Sequence, residues 1–274
     1  MKSCLIHKGV ANGSITAPPS KSYAHRYLLA SFLASIDDAH TYCIDNMTLS
    51  NDISATIDCV KSLGGNISVN GNKIEVSPCK LSKNETTLNC RESGSTMRFI
   101  IPISLALIGK AFITGTEKLL SRGLGIYEDI FRSQSISIKK EKQSFFAEGE
   151  LKGGRFVVDG TVSSQFITGL LFALPLLKED SVIEISGELQ SKPYIDITLD
   201  VLRQFGISID VKGNIFHIAG NQRYKGKNCY CEGDYSNAAF IDFFNHVGGK
   251  VVIEGLKENS LQGDSAFRNY FSLL

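Results

Sequence analysis

The sequence predicts an α/β protein built from a repeated strand–helix–strand–helix–hairpin unit, and three observations carry that reading. Four segments that join a Ser/Gly-rich start to a long apolar run begin near Ser22, Gly94, Ser164 and Ser236, a spacing of about 70 residues. A helical stripe of apolar residues follows each run by about 30 residues, and alternating stretches around short turns follow the stripes. Three copies agree in that order. One unit alone cannot bury its helix face, so the copies are expected to pack against one another.

The elements follow in chain order. In the first copy the run is SYAHRYLLASFLA, and Ile53, Ile57, Val60 and Leu63 then recur at helical spacing with Gly64 placed for a left-handed cap. The alternating stretch 66–76 turns at Asn70-Gly71, a hairpin signal. The second copy runs GSTMRFIIPISLAL; its stripe is Leu124, Tyr127 and Phe131, with Ser135 where the glycine would stand and a hairpin over 135–149. The third runs SQFITGLLFALPLL, then Ile195, Leu199, Leu202 and Phe205 with Gly206 behind them, and a hairpin over 207–219 turning at Lys212-Gly213-Asn214. In the fourth, SNAAFIDFFNHVG is followed by Phe267, Phe271 and Leu274, each 72 residues after its counterpart Ile195, Leu199 or Leu202. No capping glycine or hairpin follows within the 274 residues, so the fourth unit is expected to be truncated; an atypical terminal repeat is the alternative.

Composition bounds the function. With 43% hydrophobic and 21% charged residues the chain is too apolar for disorder, and it is long enough for one large or two modest domains. Its 29 Lys+Arg against 28 Asp+Glu argue against a general nucleic-acid binder. The longest apolar stretches, 99–108 and 167–177, fall short of the ~20 residues that span a bilayer. Residues 1–10 hold no charged-then-apolar leader pattern, so none is expected. Seven scattered cysteines without a C-x-x-C pair point to reduced thiols in the cytoplasm and to neither a disulfide framework nor a metal site.

Chemistry concentrates where the helices begin. Pro18-Pro19-Ser20-Lys21-Ser22 enters the first run, with His25 and Arg26 one turn on. Backbone N–H groups, a hydroxyl, Lys and Arg there suit a phosphate or carboxylate, although a capped helix with solvated charges would look the same. His25 reads as a packing or hydrogen-bonding residue. The second run opens Arg91-Glu92-Ser93-Gly94-Ser95-Thr96-Met97-Arg98, and the third opens Asp159-Gly160-Thr161-Val162-Ser163-Ser164-Gln165. Ser191-Lys192-Pro193-Tyr194 starts the second helix of that unit, and Arg122 lies in the turn Ser121-Arg122-Gly123-Leu124-Gly125. Each is weak alone. Placed equivalently in a repeat, they would converge if the three units pack around an axis.

These stretches, PPSKSYAHRYLLAS, ESGSTMRF, VDGTVSSQFITGLLFALP, SKPYIDITLDVLRQFG, EGDYSN and SLQGD, resemble the enolpyruvyl transferases, and within them the EPSP synthase family. The resemblance implies an inside-out α/β barrel architecture of βαβαββ units, six in two domains, with an active site in the cleft between them. It divides this chain into 1–12, an N-terminal strand of the second domain; 13–231, a complete three-unit domain; and 232–274, the start of the second domain. It implies transfer of the enolpyruvyl group from phosphoenolpyruvate to the 5-hydroxyl of shikimate-3-phosphate, without cofactor or metal.

Carried over residue by residue, the resemblance assigns shikimate-3-phosphate to Lys21, Ser22, Arg26, Ser163, Ser164, Gln165, Ser191 and Tyr194. It assigns phosphoenolpyruvate to Lys21, Gly94, Arg122 and Gln165, and gives Arg98 a structural part. Two departures stand out: Glu92-Ser93-Gly94-Ser95 replaces the family's N-A-G-T, and Arg122-Gly123 replaces its R-P pair. The family's acid/base residues come from the rest of the other domain, so these 274 residues are expected to bind without turnover, with a separate C-terminal half as a partner. Two other functions compete: a non-catalytic shikimate-3-phosphate-binding domain, and a UDP-N-acetylglucosamine enolpyruvyl transferase. The latter would carry a K-N pair in place of Lys21-Ser22 and a reactive cysteine near Arg122, yet no cysteine lies between Cys90 and Cys229.

Overall fold

The structure, a computed structural model, describes residues 4–5, 9–82 and 86–273. The first copy holds β1 (Asn12–Thr16), α1 (Lys21–Ser35), β2 (Tyr42–Asp45), α2 (Asn51–Ser62), β3 (Asn66–Asn70) and β4 (Lys73–Ser77). The second holds β5 (Thr87–Asn89), α3 (Gly94–Ile108), β6 (Lys110–Thr114), the short α4 (Glu117–Leu120), α5 (Tyr127–Ser133), β7 (Ser137–Glu141) and β8 (Ser144–Glu148). The third holds β9 (Gly154–Asp159), α6 (Ser164–Ala173), β10 (Ser181–Ser186), α7 (Lys192–Gln204), β11 (Ile209–Lys212) and β12 (Ile215–Ile218). Then come β13 (Cys229–Tyr230), α8 (Tyr235–His246), β14 (Lys250–Glu254) and α9 (Ala266–Leu273). The fold is the mixed α/β one that the repeat predicts. Leu274, which the stripe of the fourth copy includes, lies outside the described residues, as do six of the residues 1–12.

Copies two and three each close their own four-stranded sheet, ordered β5-β6-β8-β7 and β9-β10-β12-β11. In both, the strand before the first helix runs parallel to the strand after it, and the hairpin adds antiparallel. Copy one differs. Its sheet is β13-β2-β4-β3, with Cys229 opposite Ile44, while β1 pairs in parallel with β14, Asn12 opposite Lys250. The opening strands of copies one and four have changed places.

The chain accordingly divides into a larger unit, residues 21–231, and a smaller one, residues 1–20 with 232–274. The sequence reading starts the three-unit domain at residue 13. Residues 13–20 go instead with the smaller unit, because β1 is laddered to β14, Ala17 N donates to Glu254 O, and Ser20 N donates to Glu232 O.

In the larger unit α3 packs on α6, and α1 lies against α2 and α7. Every α1 residue from Tyr23 to Ser35 is buried, which is why apolar residues occur on all its sides, with His25, Arg26, Ser31 and Ser35 the polar residues enclosed among them. The second helices bury one face: Ile53, Ile57 and Val60 on α2, and Ile195, Val201 and Leu202 on α7. Helix α2 is capped by Ser50, whose side chain accepts from Ile53 N. Two local expectations need correction. Leu124 does not join the second helix of copy two, because Gly123 and Gly125 at φ +66° and +55° break the chain before Tyr127. The first hairpin turns at Gly71-Asn72, one residue later than Asn70-Gly71, since Asn70 still pairs with Lys73. Ser135 does take the left-handed φ of +58° at the place where the other copies have Gly64 and Gly206. All seven cysteines are free thiols, and no described helix is long and apolar enough to cross a membrane.

Candidate functional site

Five helix starts of the larger unit meet at one cavity of about 350 Å³. Helix α1 brings Lys21 and Ser22 in its first turn with His25 and Arg26 on the next, α2 brings Asp52, and α3 brings Ser95 and Phe99. Helix α6 brings Ser163, Ser164 and Gln165, and α7 brings Ser191 and Tyr194. The positive ends of the helix dipoles gather at one space, an environment that draws anions. Ser163 caps α6 by accepting from Gln165 N. Ser191 begins α7 with a left-handed backbone (φ 56°) and makes no side-chain cap bond, while Pro193 sits in the first turn, where its missing N–H is not needed.

Arg26 is the buried cation of the site. Its Nε donates to Thr198 Oγ1 at 2.8 Å, Nη1 to Ser22 O at 2.8 Å, and Nη2 to Tyr194 O at 3.0 Å and Thr168 Oγ1 at 3.3 Å. Burial lowers its pKa to about 10, and among the described residues no carboxylate is hydrogen-bonded to it. Arg26 therefore pins α1 to α6 and α7 while it charges the cavity wall. Lys21 Nζ lies 3.0 Å from Asp52 Oδ2. His25 is neutral: burial first, then the Arg26 charge, bring its pKa down to about 3.

Beside the cavity is a second cluster. A methyl built on Gly94 would stand 2.7 Å from Arg98 Nη1, 3.3 Å from Arg122 Nη1 and 3.6 Å from Gln165 Oε1. Arg98 Nη1 donates to Gly94 O and to Gln165 Oε1, both at 3.2 Å, and its guanidinium lies over the Phe166 ring. Gln165 Nε2 in turn donates to Ser95 Oγ at 2.8 Å, so one amide joins the two clusters. Burial chiefly, and the neighbouring Arg122 charge in addition, lower the Arg98 pKa.

The structure thus brings all eight residues assigned to shikimate-3-phosphate to one cavity, and it sets Gly94 and Arg122 beside Gln165 at its edge. Glu92 is exposed and does not line the cavity. The Arg122-Gly123 departure has a backbone consequence: Gly123 has φ +66°, which proline with φ fixed near −65° cannot adopt. Asp52 and Phe99 line the cavity unforeseen. A first-turn Asp after Ser50 reads as an ordinary helix-start acid, and Phe99 as core.

A family model of EPSP synthase (3-phosphoshikimate 1-carboxyvinyltransferase) matches residues 7–270. The chain belongs to the EPSP synthase family. A 3-phosphoshikimate 1-carboxyvinyltransferase of Clostridium perfringens (strain SM101 / Type A) is 44% identical over 271 residues, covering 96% of this chain and 62% of the relative. Its counterpart in Clostridioides difficile (strain 630) is 41% identical over 280 residues, covering 97% and 63%. The chain spans somewhat less than two thirds of the length of these relatives. An EPSP synthase structure from Acinetobacter baumannii superposes with a TM-score of 0.73 at 21% identity, over 91% of this chain and 57% of that one, which establishes a shared fold.

Proposed function

We propose that this chain supplies the shikimate-3-phosphate-binding wall of an enzyme that transfers the enolpyruvyl group of phosphoenolpyruvate to the 5-hydroxyl of shikimate-3-phosphate. In that reaction the hydroxyl loses its proton and its oxygen bonds to C2 of phosphoenolpyruvate while C3 gains a proton, so that the C2–C3 double bond becomes single. The C–O bond to phosphate then breaks and C3 gives the proton up. The observation that carries the reading is the meeting of Lys21, Ser22, Arg26, Ser163, Ser164, Gln165, Ser191 and Tyr194 in one cavity at five helix N-termini. The 3-phosphate would sit among Ser163, Ser164 and Gln165, with Ser191 beside it. Phosphoenolpyruvate would take the cluster of Gly94, Arg122 and Gln165, within reach of Lys21. Residues 21–231 form the three-unit domain in this reading, and the free thiols fit a reducing compartment such as the cytoplasm.

The test is isothermal titration of the chain with shikimate-3-phosphate, then with phosphoenolpyruvate added. Saturable binding of the first ligand supports the reading; no heat at millimolar ligand refutes it. Phosphate release with both substrates present separates a working transferase from a binding domain.

A further inference from the structure

The hydrogen-bonding direction of His25 is dictated from behind the cavity. Its Nδ1 lies 2.8 Å from Thr56 Oγ1, which lies 2.8 Å from Thr96 Oγ1, which donates to Ser93 Oγ at 2.7 Å. Ser93 Oγ also accepts from Thr96 N, as the cap of α3. Asp52 O is also within reach of both threonine hydroxyls, at 3.4 Å from Thr56 Oγ1 and 3.3 Å from Thr96 Oγ1, but the shorter links set the direction. The Thr96 proton goes to Ser93, the Thr56 proton to Thr96 or Asp52 O, and the His25–Thr56 link uses a proton on Nδ1. Burial keeps the ring neutral, so Nε2 is left with a lone pair.

The other ring nitrogen has somewhere to point. Among the described residues Nε2 has no protein partner, yet it is not sealed from solvent. The residue is only 3% exposed and lines the cavity, so that opening leads into the cavity. The Phe99 ring stands edge-on to the imidazole at 6.2 Å and 89°, which fixes its plane. The remaining wall carries the cations Lys21 and Arg26 and the serine hydroxyls, together with one carboxylate, Asp52, which is engaged by Lys21 at 3.0 Å. Cations and hydroxyls recognise any phosphate; a neutral acceptor fixed in place among them asks for a ligand O–H.

We infer that His25 is a specificity residue, whose Nε2 accepts a hydrogen bond from a ring hydroxyl of a hydroxylated phosphate ester and so distinguishes it from a bare anion. The inference rests on the functional reading above for the identity of the ester. Its logic is that of a site built to bond a hydroxyl: a ligand without one leaves a buried acceptor unpaired.

His25→Asn is the informative variant, because an amide nitrogen can stand near the Nδ1 position and keep the Thr56 bond while the atom facing the cavity is lost. The full chain and the variant are titrated with shikimate-3-phosphate and, in parallel, with inorganic phosphate. The variant should bind shikimate-3-phosphate about tenfold more weakly, and inorganic phosphate as the unaltered chain does. Equal weakening for both ligands, or none for either, overturns the inference. Failure of the functional reading shows separately, as absence of shikimate-3-phosphate binding by the unaltered chain. In that event ¹⁵N NMR of the free protein still decides the acceptor: a proton on Nδ1 supports it, and one on Nε2 overturns it.

Discussion

Replacing Arg26 by methionine should damage the fold as well as the site. The guanidinium makes three bonds across elements, to Thr198 Oγ1, Thr168 Oγ1 and Tyr194 O, at 2.8–3.3 Å. Bonds from a charged donor contribute roughly 1.5–3 kcal/mol each. Against them stands the desolvation of a buried cation. A pKa brought from 12.5 to about 10 corresponds to a cost of about 3 kcal/mol. Thr168 and Thr198 can still bond each other at 2.9 Å, and Thr198 still donates to Tyr194 O, so the loss is cushioned. The net expectation for Arg26→Met is a loss of about 3 kcal/mol of stability. Urea unfolding at constant m-value measures it, and shikimate-3-phosphate titration of the folded fraction measures the site. A variant as stable as the original chain that no longer binds would show that Arg26 serves the ligand alone, and the pinning argument would be wrong.

Three further outcomes are expected. His25 has a folded pKa of about 3 and an ordinary value of 6.5, so the unfolded chain binds the proton first, and the His25 contribution is lost as pH falls from about 6.5 toward 3. Denaturant melts should show stability falling by about 1.4 kcal/mol per pH unit in that window, and His25→Asn should remove this part of the slope. Lys21→Ala should weaken shikimate-3-phosphate binding by roughly 1.5–3 kcal/mol in titration, while Cys43→Ser leaves it unchanged; equal affinity for Lys21→Ala would refute its place in the site. Gly169→Ala puts a methyl onto Arg98 O and the Tyr127 hydroxyl where α3 meets α6. Thermal unfolding should show a loss on the order of 3 kcal/mol or an insoluble chain.

The helices were legible because burial writes itself into sequence at a helical period. The Ile53–Ile57–Val60 stripe marks α2, and apolar residues on every side mark α1 as enclosed. The cavity was legible in its donors, since serines and cations at helix starts have a recognisable chemistry. Its acceptors were not. Asp52 resembles any acid in a first turn, and nothing in the sequence shows that it reaches Lys21 across 31 residues. The direction of the His25 bond depends on Thr56, Thr96 and Ser93, three ordinary hydroxyls on two other helices and a turn. Hardest was the exchange of opening strands. A two-residue strand such as β13 carries no alternation, and β1 is exposed along its whole length, so neither strand has an apolar pattern that selects its partner.

That exchange sets a clock on synthesis. The edge of the first sheet is closed by Cys229 opposite Ile44, so β2 leaves the ribosome 185 residues before its neighbour does. At about 5–20 residues per second, this interval is roughly 10–40 s, during which β2 offers a bare parallel edge. The third copy, whose strands β9 and β10 are near neighbours in sequence, has no such delay. A nascent chain stalled anywhere between Asp45 and Cys229 therefore carries an open template for strand addition. Binding of a chaperone should be densest over that stretch of lengths, and it should fall once Tyr230 has emerged.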